Sequence, residues 1–254
     1  MEKSTYEDVI YEVDGPAAVI TIDRQDRLNA FRGQTVEELI HAFKRGWADQ
    51  SVRGLILTGA GTRAFCVGGD VKQRAETGNY GPTSNGLFEV TYLHRLIRDV
   101  PKPVIAAVNG LAIGGGHVLH VLCDLSIAAD HAKFGQAGPR VGSFDGGFGS
   151  AYLARVVGEK RAREIWFLLE QYSAEQAERW GGSPTSPPTR SSTDPDFKNP
   201  YPERSWSPHP AGRVRHRLSA CLLPAQFGHA FGAPAGPAGT QAGPSAAAGR
   251  AQPG

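Results

Sequence analysis

Two hydrophobic rhythms alternate along the first 181 residues of the chain. "DVIYEVDG" and "AAVITID" are short β-rich runs, and the Gly15-Pro16 pair between them predicts a hairpin. "TVEELIHAFKRGWAD" carries apolar residues at helical spacing (Val36, Leu39, Ile40, Phe43, Trp47) and predicts an amphipathic helix with Thr35 as its N-cap. "VRGLILTGAG" and "KPVIAAVNG" read as buried strands ending in glycine, and the helix "TYLHRLIRDV" between them stops before Pro101. "DLSIAAD" and "AKFGQ" are short strands, followed by the helices "GSAYLARVVG", "EKRAREIWFLLEQ" and "SAEQAERWG". Strands that alternate with helices and feed glycine-rich turns predict an α/β fold of repeated β-β-α character.

Composition narrows this picture. The chain has 254 residues, 40% of them hydrophobic, enough for one sizeable domain with a real core. A net charge of +2 gives no footing for nucleic acid or an anionic membrane surface. With no apolar run of 18 residues and no basic-then-apolar leader, a soluble, cytoplasmic protein is expected. Cys66, Cys123 and Cys221 lack paired metal spacing, so no metal is expected, and their odd number fits a reducing compartment.

The composition breaks at Gly182. Beyond it fall 13 of the 18 prolines but only three of the 25 acidic residues (Asp194, Asp196, Glu203), with no isoleucine, one valine and three leucines. So few large aliphatics cannot offset chain entropy. The division expected is a core over 1–181 and a low-complexity tail over 182–254. That tail reads either as a natural disordered arm or as a frame-shifted stretch of GC-rich coding sequence.

Candidate chemistry lies in two glycine turns, "AFCVGGD" (64–70) and "IGGGHVLHVLCD" (113–124), each after a buried strand. The second has no Gly-Lys-Ser/Thr of a phosphate loop, and no GxGxxG dinucleotide fingerprint is present. Glycines at a helix start still offer bare N–H groups with the positive helix end behind them. Two such turns can aim one N–H each at the same oxyanion. His117 and His120 in the second turn's helix have no evident third metal ligand and read as packing residues.

In this order, "RLNAF", "LTGAGTRAFCVGGD", "PKPVIAAVNGLAIGGG", "CDLSIAAD" and "FGQAGP" resemble the crotonase (enoyl-CoA hydratase/isomerase) superfamily over about residues 5–181. The resemblance implies a crotonase-like ββα superhelix, an acyl-CoA substrate, and an oxyanion hole from the N–H groups of Gly69 and Gly115. CoA would enter as part of the substrate, with no tightly bound cofactor, held by Arg27, Ala30, Asp70, Val71 and Lys72. The two glutamates of the hydratases would fall at Val118 and Gly138, which cannot supply their acid/base pair.

"GGGHVLHVLCDLSIAAD" and "FGQAGPRVGSFDGGFGSAYLAR" are more similar to the 1,4-dihydroxy-2-naphthoyl-CoA synthases, which close a ring by Claisen condensation. "NAFRG", "GNY" and "IRDVPKPV" look like the 2-ketocyclohexanecarboxyl-CoA hydrolases, which open one. By that resemblance Tyr80, Ser143 and Asp145 stand at the reacting ring. Gln136, Gly138 and Trp166 would seat bicarbonate as base in the room left by Gly138. Ala137 departs from the synthases' usual threonine. The resemblance implies a homo-hexamer built as a dimer of trimers. It stops at "AERWG", where the family continues with helices that cover the site and add a tyrosine. A non-catalytic crotonase-like scaffold, or an inactive product, is therefore the reading of another class.

Overall fold

Gly15 and Pro16 reverse the chain between β1 (Val9–Asp14) and β2 (Ala17–Ile22), which pair antiparallel with Asp14 opposite Ala17. These coordinates are a computed structural model, and they describe residues 6–145 and 148–181. The expectations for 182–254 lie outside the described residues.

Helix α1 (Gly33–Ala48) buries Val36, Leu39, Ile40 and Phe43, as the spacing predicts. Two expectations there need correction. Arg32 is the N-cap, and Thr35 sits in the first turn; its hydroxyl accepts the Arg32 N–H at 3.1 Å and donates to Asp8. Trp47, on the last turn, is 41% exposed: that turn faces the sheet through Gly46, which lies against Leu55 and Ala18, and Trp47 is on another face.

The remaining strands are β3 (Gly54–Gly59), β4 (Ala64–Cys66), β5 (Val104–Val108), β6 (Leu111–Ile113), β7 (Leu125–Ala128), β8 (Lys133–Gly135) and β9 (Tyr172–Ser173). They form two sheets. The larger has the order β1-β2-β3-β5-β7 and is parallel from β2 onward; the smaller has the order β4-β6-β8-β9. Strands β2, β3 and β5 are buried along their whole length, which is why they read as continuous apolar runs. Each β-β-α unit lays a long strand in the first sheet, a three-residue strand in the second, and then a helix. Those helices are α2 (Val71–Thr77) after β4, α4 (Gly115–Leu122) after β6, and α5 (Phe148–Val157) after β8.

Helix α3 (Val90–Asp99) returns the chain from α2 to β5; α6 (Glu159–Leu168) and α7 (Ala174–Arg179) follow α5. The core is built from the inner faces of α1, α3 and α4 on the larger sheet, and runs on to Leu153, Ile165, Trp166 and Tyr172. Among the described residues no helix is long and apolar enough to cross a membrane.

Candidate active site

The two glycine turns leave adjacent strands of the smaller sheet, β4 and β6, so they come together at one end of it. In the first turn Gly68 has φ of 90°, a left-handed conformation that glycine adopts without strain. Phe31 forms a bridge beside it: the Phe31 N–H donates to the Gly68 carbonyl (2.8 Å) and the Asp70 N–H to the Phe31 carbonyl (2.9 Å). The Gly69 N–H therefore projects away from Phe31. In the second turn Gly114 has φ of 57°, and its N–H is taken by the Gly135 carbonyl. Gly115, the first residue of α4, carries an N–H that no intrahelical carbonyl can accept. Its nitrogen lies 2.8 Å from where a Cβ on Gly68 would be. Among the described residues no group takes the N–H of Gly69 or Gly115. The expected pair of donors is thus side by side.

Their lack of side chains has a local cause. A Cβ on Gly69 would be 2.5 Å from the Tyr80 ring and 2.9 Å from its hydroxyl; one on Gly115 would be 2.7 Å from the Phe31 ring. Gly116 passes so close to the Cys66 carbonyl that any Cβ would collide with it. Tyr80 stacks on Phe88 with centroids 4.5 Å apart, and Phe88 stacks on Phe31. Tyr80 therefore stands at the first glycine turn, beside Gly69. Burial pushes the Cys66 thiol up to about 12, so it stays an inert packing group.

Sequence reasoning missed the residues that brace this turn. Arg24 pairs with Asp70 (3.0 Å) and Asp8 (3.5 Å) and donates to the Ala30 carbonyl (2.5 Å). Arg32 grips Asp8 through Nε and Nη2 at 2.8 and 2.9 Å. Asn29, buried and left-handed at φ of 57°, donates to the carbonyls of Ala60 and Ala64 and accepts the Arg24 N–H. The only available signal was a run of polar residues beside a buried strand.

These contacts revise the expected CoA set. Asp70 is buried, caps α2 through the Gln73 N–H and faces Arg24, so its side chain is a brace rather than a ligand. Burial alone would raise its pKa; the Gln73 N–H and then Arg24 outweigh that and hold the carboxyl below its usual range. Ala30 is buried with one carbonyl lone pair given to Arg24. Val71 is 52% exposed, Lys72 is exposed, and Arg27 is half-buried beside Asp26, so these three remain open to a ligand.

Val118 and Gly138 are the positions where the resemblance would place the hydratase glutamates. Val118, one helical turn beyond Gly115, is buried. Asp145 borders the same gap: Val118 Cγ2 and Asp145 Cγ lie 2.7 and 3.0 Å from the point where a Cβ on Gly149 would sit. The missing side chain of Gly149 therefore leaves the space between Val118 and Asp145 open. Asp145 Oδ2 is also 3.9 Å from Nδ1 of buried His94 on α3. Ser143 is exposed on the same segment.

The room expected at Gly138 is not there. A Cβ on Gly138 would collide with the Ser143 carbonyl oxygen, because Ser143 N–H donates back to the Gly138 carbonyl at 2.9 Å and closes the loop. Trp166 is adjacent, but the ring atom nearest that point, at 3.8 Å, is Cζ3, on the edge opposite the indole nitrogen. Gln136 is buried with Nε2 3.1 Å from Nδ1 of His117. An anion placed here would meet a carbonyl oxygen, and one of its expected donors is engaged elsewhere. The buried Nε1 of Trp166, without a partner among the described residues, is the single feature that favours an anion. The set does not fit bicarbonate as arranged.

His117 and His120 pack as neutral rings. His117 bonds Tyr172 and Gln136, His120 bonds Ser126 at 3.1 Å, and the rings meet edge-on at 4.9 Å. Burial holds His117 down at about 3. Among the described residues no cluster could hold a metal.

Comparison with known proteins agrees with this fold. Residues 12–183 match the family described as enoyl-CoA hydratase/isomerase. Similar solved structures include enoyl-CoA hydratase subunit I of Geobacillus kaustophilus HTA426, with 33% identity, TM-score 0.63, and coverage of 71% of this chain and 68% of that one. An enoyl-CoA hydratase of Bacillus anthracis has 30% identity and TM-score 0.63, covering 70% and 69%. An enoyl-CoA hydratase/carnitine racemase of Magnetospirillum magneticum has 29% identity and TM-score 0.64, covering 70% and 67%.

Proposed function

The chain belongs to the enoyl-CoA hydratase/isomerase family, and from that premise we propose that its acyl-CoA chemistry makes or breaks a carbon–carbon bond beside the thioester, as in the naphthoyl-CoA synthases, rather than adding water to an enoyl group. The observation that carries this reading is the convergence of Asp145 on Val118 across Gly149. Hydration needs two placed carboxylates; here one position is a valine and the other a glycine with no room for a side chain.

In this reading the thioester oxygen accepts the N–H groups of Gly69 and Gly115, and the N-terminus of α4 adds its positive end. Asp145 takes the proton α to the thioester. The enolate carbon then attacks a carboxyl carbon of the same acyl group, forming the ring bond with loss of water. Tyr80 and Ser143 donate to the oxygen on that carbon. Run in the other sense, water adds to a ring ketone, the bond breaks, and the enolate is the leaving group. No step passes through bicarbonate, since the groups around Gly138 do not form a seat for it. Val71, Lys72 and Arg27 are the side chains open to the CoA moiety.

The test is turnover by the full chain of succinylbenzoyl-CoA, 2-ketocyclohexanecarboxyl-CoA and crotonyl-CoA. We expect one of the two ring substrates to react, without dependence on added bicarbonate, and crotonyl-CoA to be hydrated at background. Substantial crotonyl-CoA hydration, or inertness toward both ring substrates, would overturn the proposal.

A further inference from the structure

Helix α3 buries one polar side chain among Leu93, Leu96 and Ile97, and it is His94. Its neighbours are the edge of Phe148, at 5.9 Å between centroids and 77° between planes, and the carboxylate of Asp145. Nδ1 is 3.9 Å from Asp145 Oδ2, while Nε2 is buried with no partner among the described residues. A buried imidazole with a carboxylate on one side and apolar groups on the other is an oriented group, since apolar packing alone would be served better by leucine.

The two neutral tautomers are not equivalent here. With the proton on Nε2, an N–H would be buried without an acceptor and a lone pair would face the carboxylate. With the proton on Nδ1, the N–H points at Asp145 and only a lone pair is left in apolar surroundings. The second is favoured on both counts. Burial lowers the His94 pKa and Asp145 opposes that, so the ring is neutral with a single proton to place. At 3.9 Å the pair is an ion-pair distance apart; an approach of about 1 Å makes an N–H···O bond.

We infer that His94 is a positioning residue for Asp145: its Nδ1–H aims the carboxylate past Gly149 at the vacant acid/base position beside Val118. This rests on the reading of Asp145 as the proton acceptor. It gives α3, which touches neither glycine turn by hydrogen bond, a part in the reaction.

The experiment uses the full chain labelled with ¹⁵N-histidine, with the His94 signals assigned by loss in His94→Asn. We expect the Nδ1–H tautomer in the wild type near pH 7, converting toward Nε2–H in Asp145→Ala. A wild-type Nε2–H tautomer, or no response to Asp145→Ala, overturns the pairing. The kinetic arm reads exchange of the α-protons of succinylbenzoyl-CoA in D₂O. His94→Leu should lower kcat by about 10–100-fold with KM unchanged, and His94→Asn, which retains a donor near Nδ1, should recover most of it. Equal losses in Leu and Asn variants would make His94 mere packing. Absent wild-type exchange with an intact tautomer response would overturn the assigned reaction while supporting the pairing.

Discussion

The two glycine turns deliver the same thing, an unclaimed N–H, from opposite physical materials. The first is braced by charge: Asp8, Arg24, Arg32 and Asp70 form a mostly buried chain of ion pairs that ties "RLNA" to the turn. The second is braced by neutral groups, with His117, Gln136 and Tyr172 joined by hydrogen bonds behind α4 and His120 anchored to Ser126. A charged brace is strong while every partner is present and costly when one is lost. A neutral histidine brace needs no counter-ion, but it must be kept unprotonated.

The sharpest way to break the comparison is Asp8→Ala, which leaves Arg24 and Arg32 facing each other without their shared carboxylate. A loss of about 3–5 kcal/mol is expected, read from the urea midpoint. A loss under about 1 kcal/mol would mean that the charge network is not what holds the first turn. The corresponding change in the second turn, His117→Leu, keeps the volume and strands Gln136 and Tyr172. It should cost about 1–3 kcal/mol in the same assay, less than the charged brace.

The most gradual effect expected is in mild acid. His117 is held at about 3 in the folded chain, against an unfolded value near 6.5. Between those values the unfolded state binds more protons, so this stability is fully present above about pH 6.5 and drains away as the pH falls toward 3. His94 and His120 are shifted the same way by burial. Asp70, held below the usual carboxylate range, adds a loss only below about pH 4. Thermal midpoints should therefore begin to fall between about pH 7 and 6, and His117→Leu should make that slope shallower. A flat profile down to about pH 4 would assign the acid response to carboxylates alone.

How far the sequence went depends on the range of the interaction involved. Periodicity found the strands of the larger sheet and most of the helices, because burial on a sheet or helix face repeats along the chain. The three-residue strands β4 and β6 are too short to have a period. Thr35 reads as a cap because a threonine three residues inside the cap also bonds the backbone at the helix start. The two glycine turns are legible as motifs. Arg24 was not, since its partners Asp8 and Asp70 are far from it in sequence. The room at Gly138 failed as an expectation because it is closed by the backbone of Ser143, and no residue type reports where a carbonyl will turn. The approach of Asp145 was hidden for a similar reason: it depends on an absence, at Gly149.

The order β4-β6-β8 in the smaller sheet has a metric consequence. These strands end at Cys66, Ile113 and Gly135, and the first glycine turn, the second glycine turn and Gln136 follow directly. Neighbouring strands repeat at about 4.8 Å. Two N–H donors that reach one oxygen at about 2.9 Å each, with a roughly tetrahedral angle between them, also stand about 4.8 Å apart. The sheet is thus a ruler whose smallest division matches the width of an oxyanion hole. The third graduation is β8, and the residue that follows it, Gln136, is the one that bonds His117 behind α4.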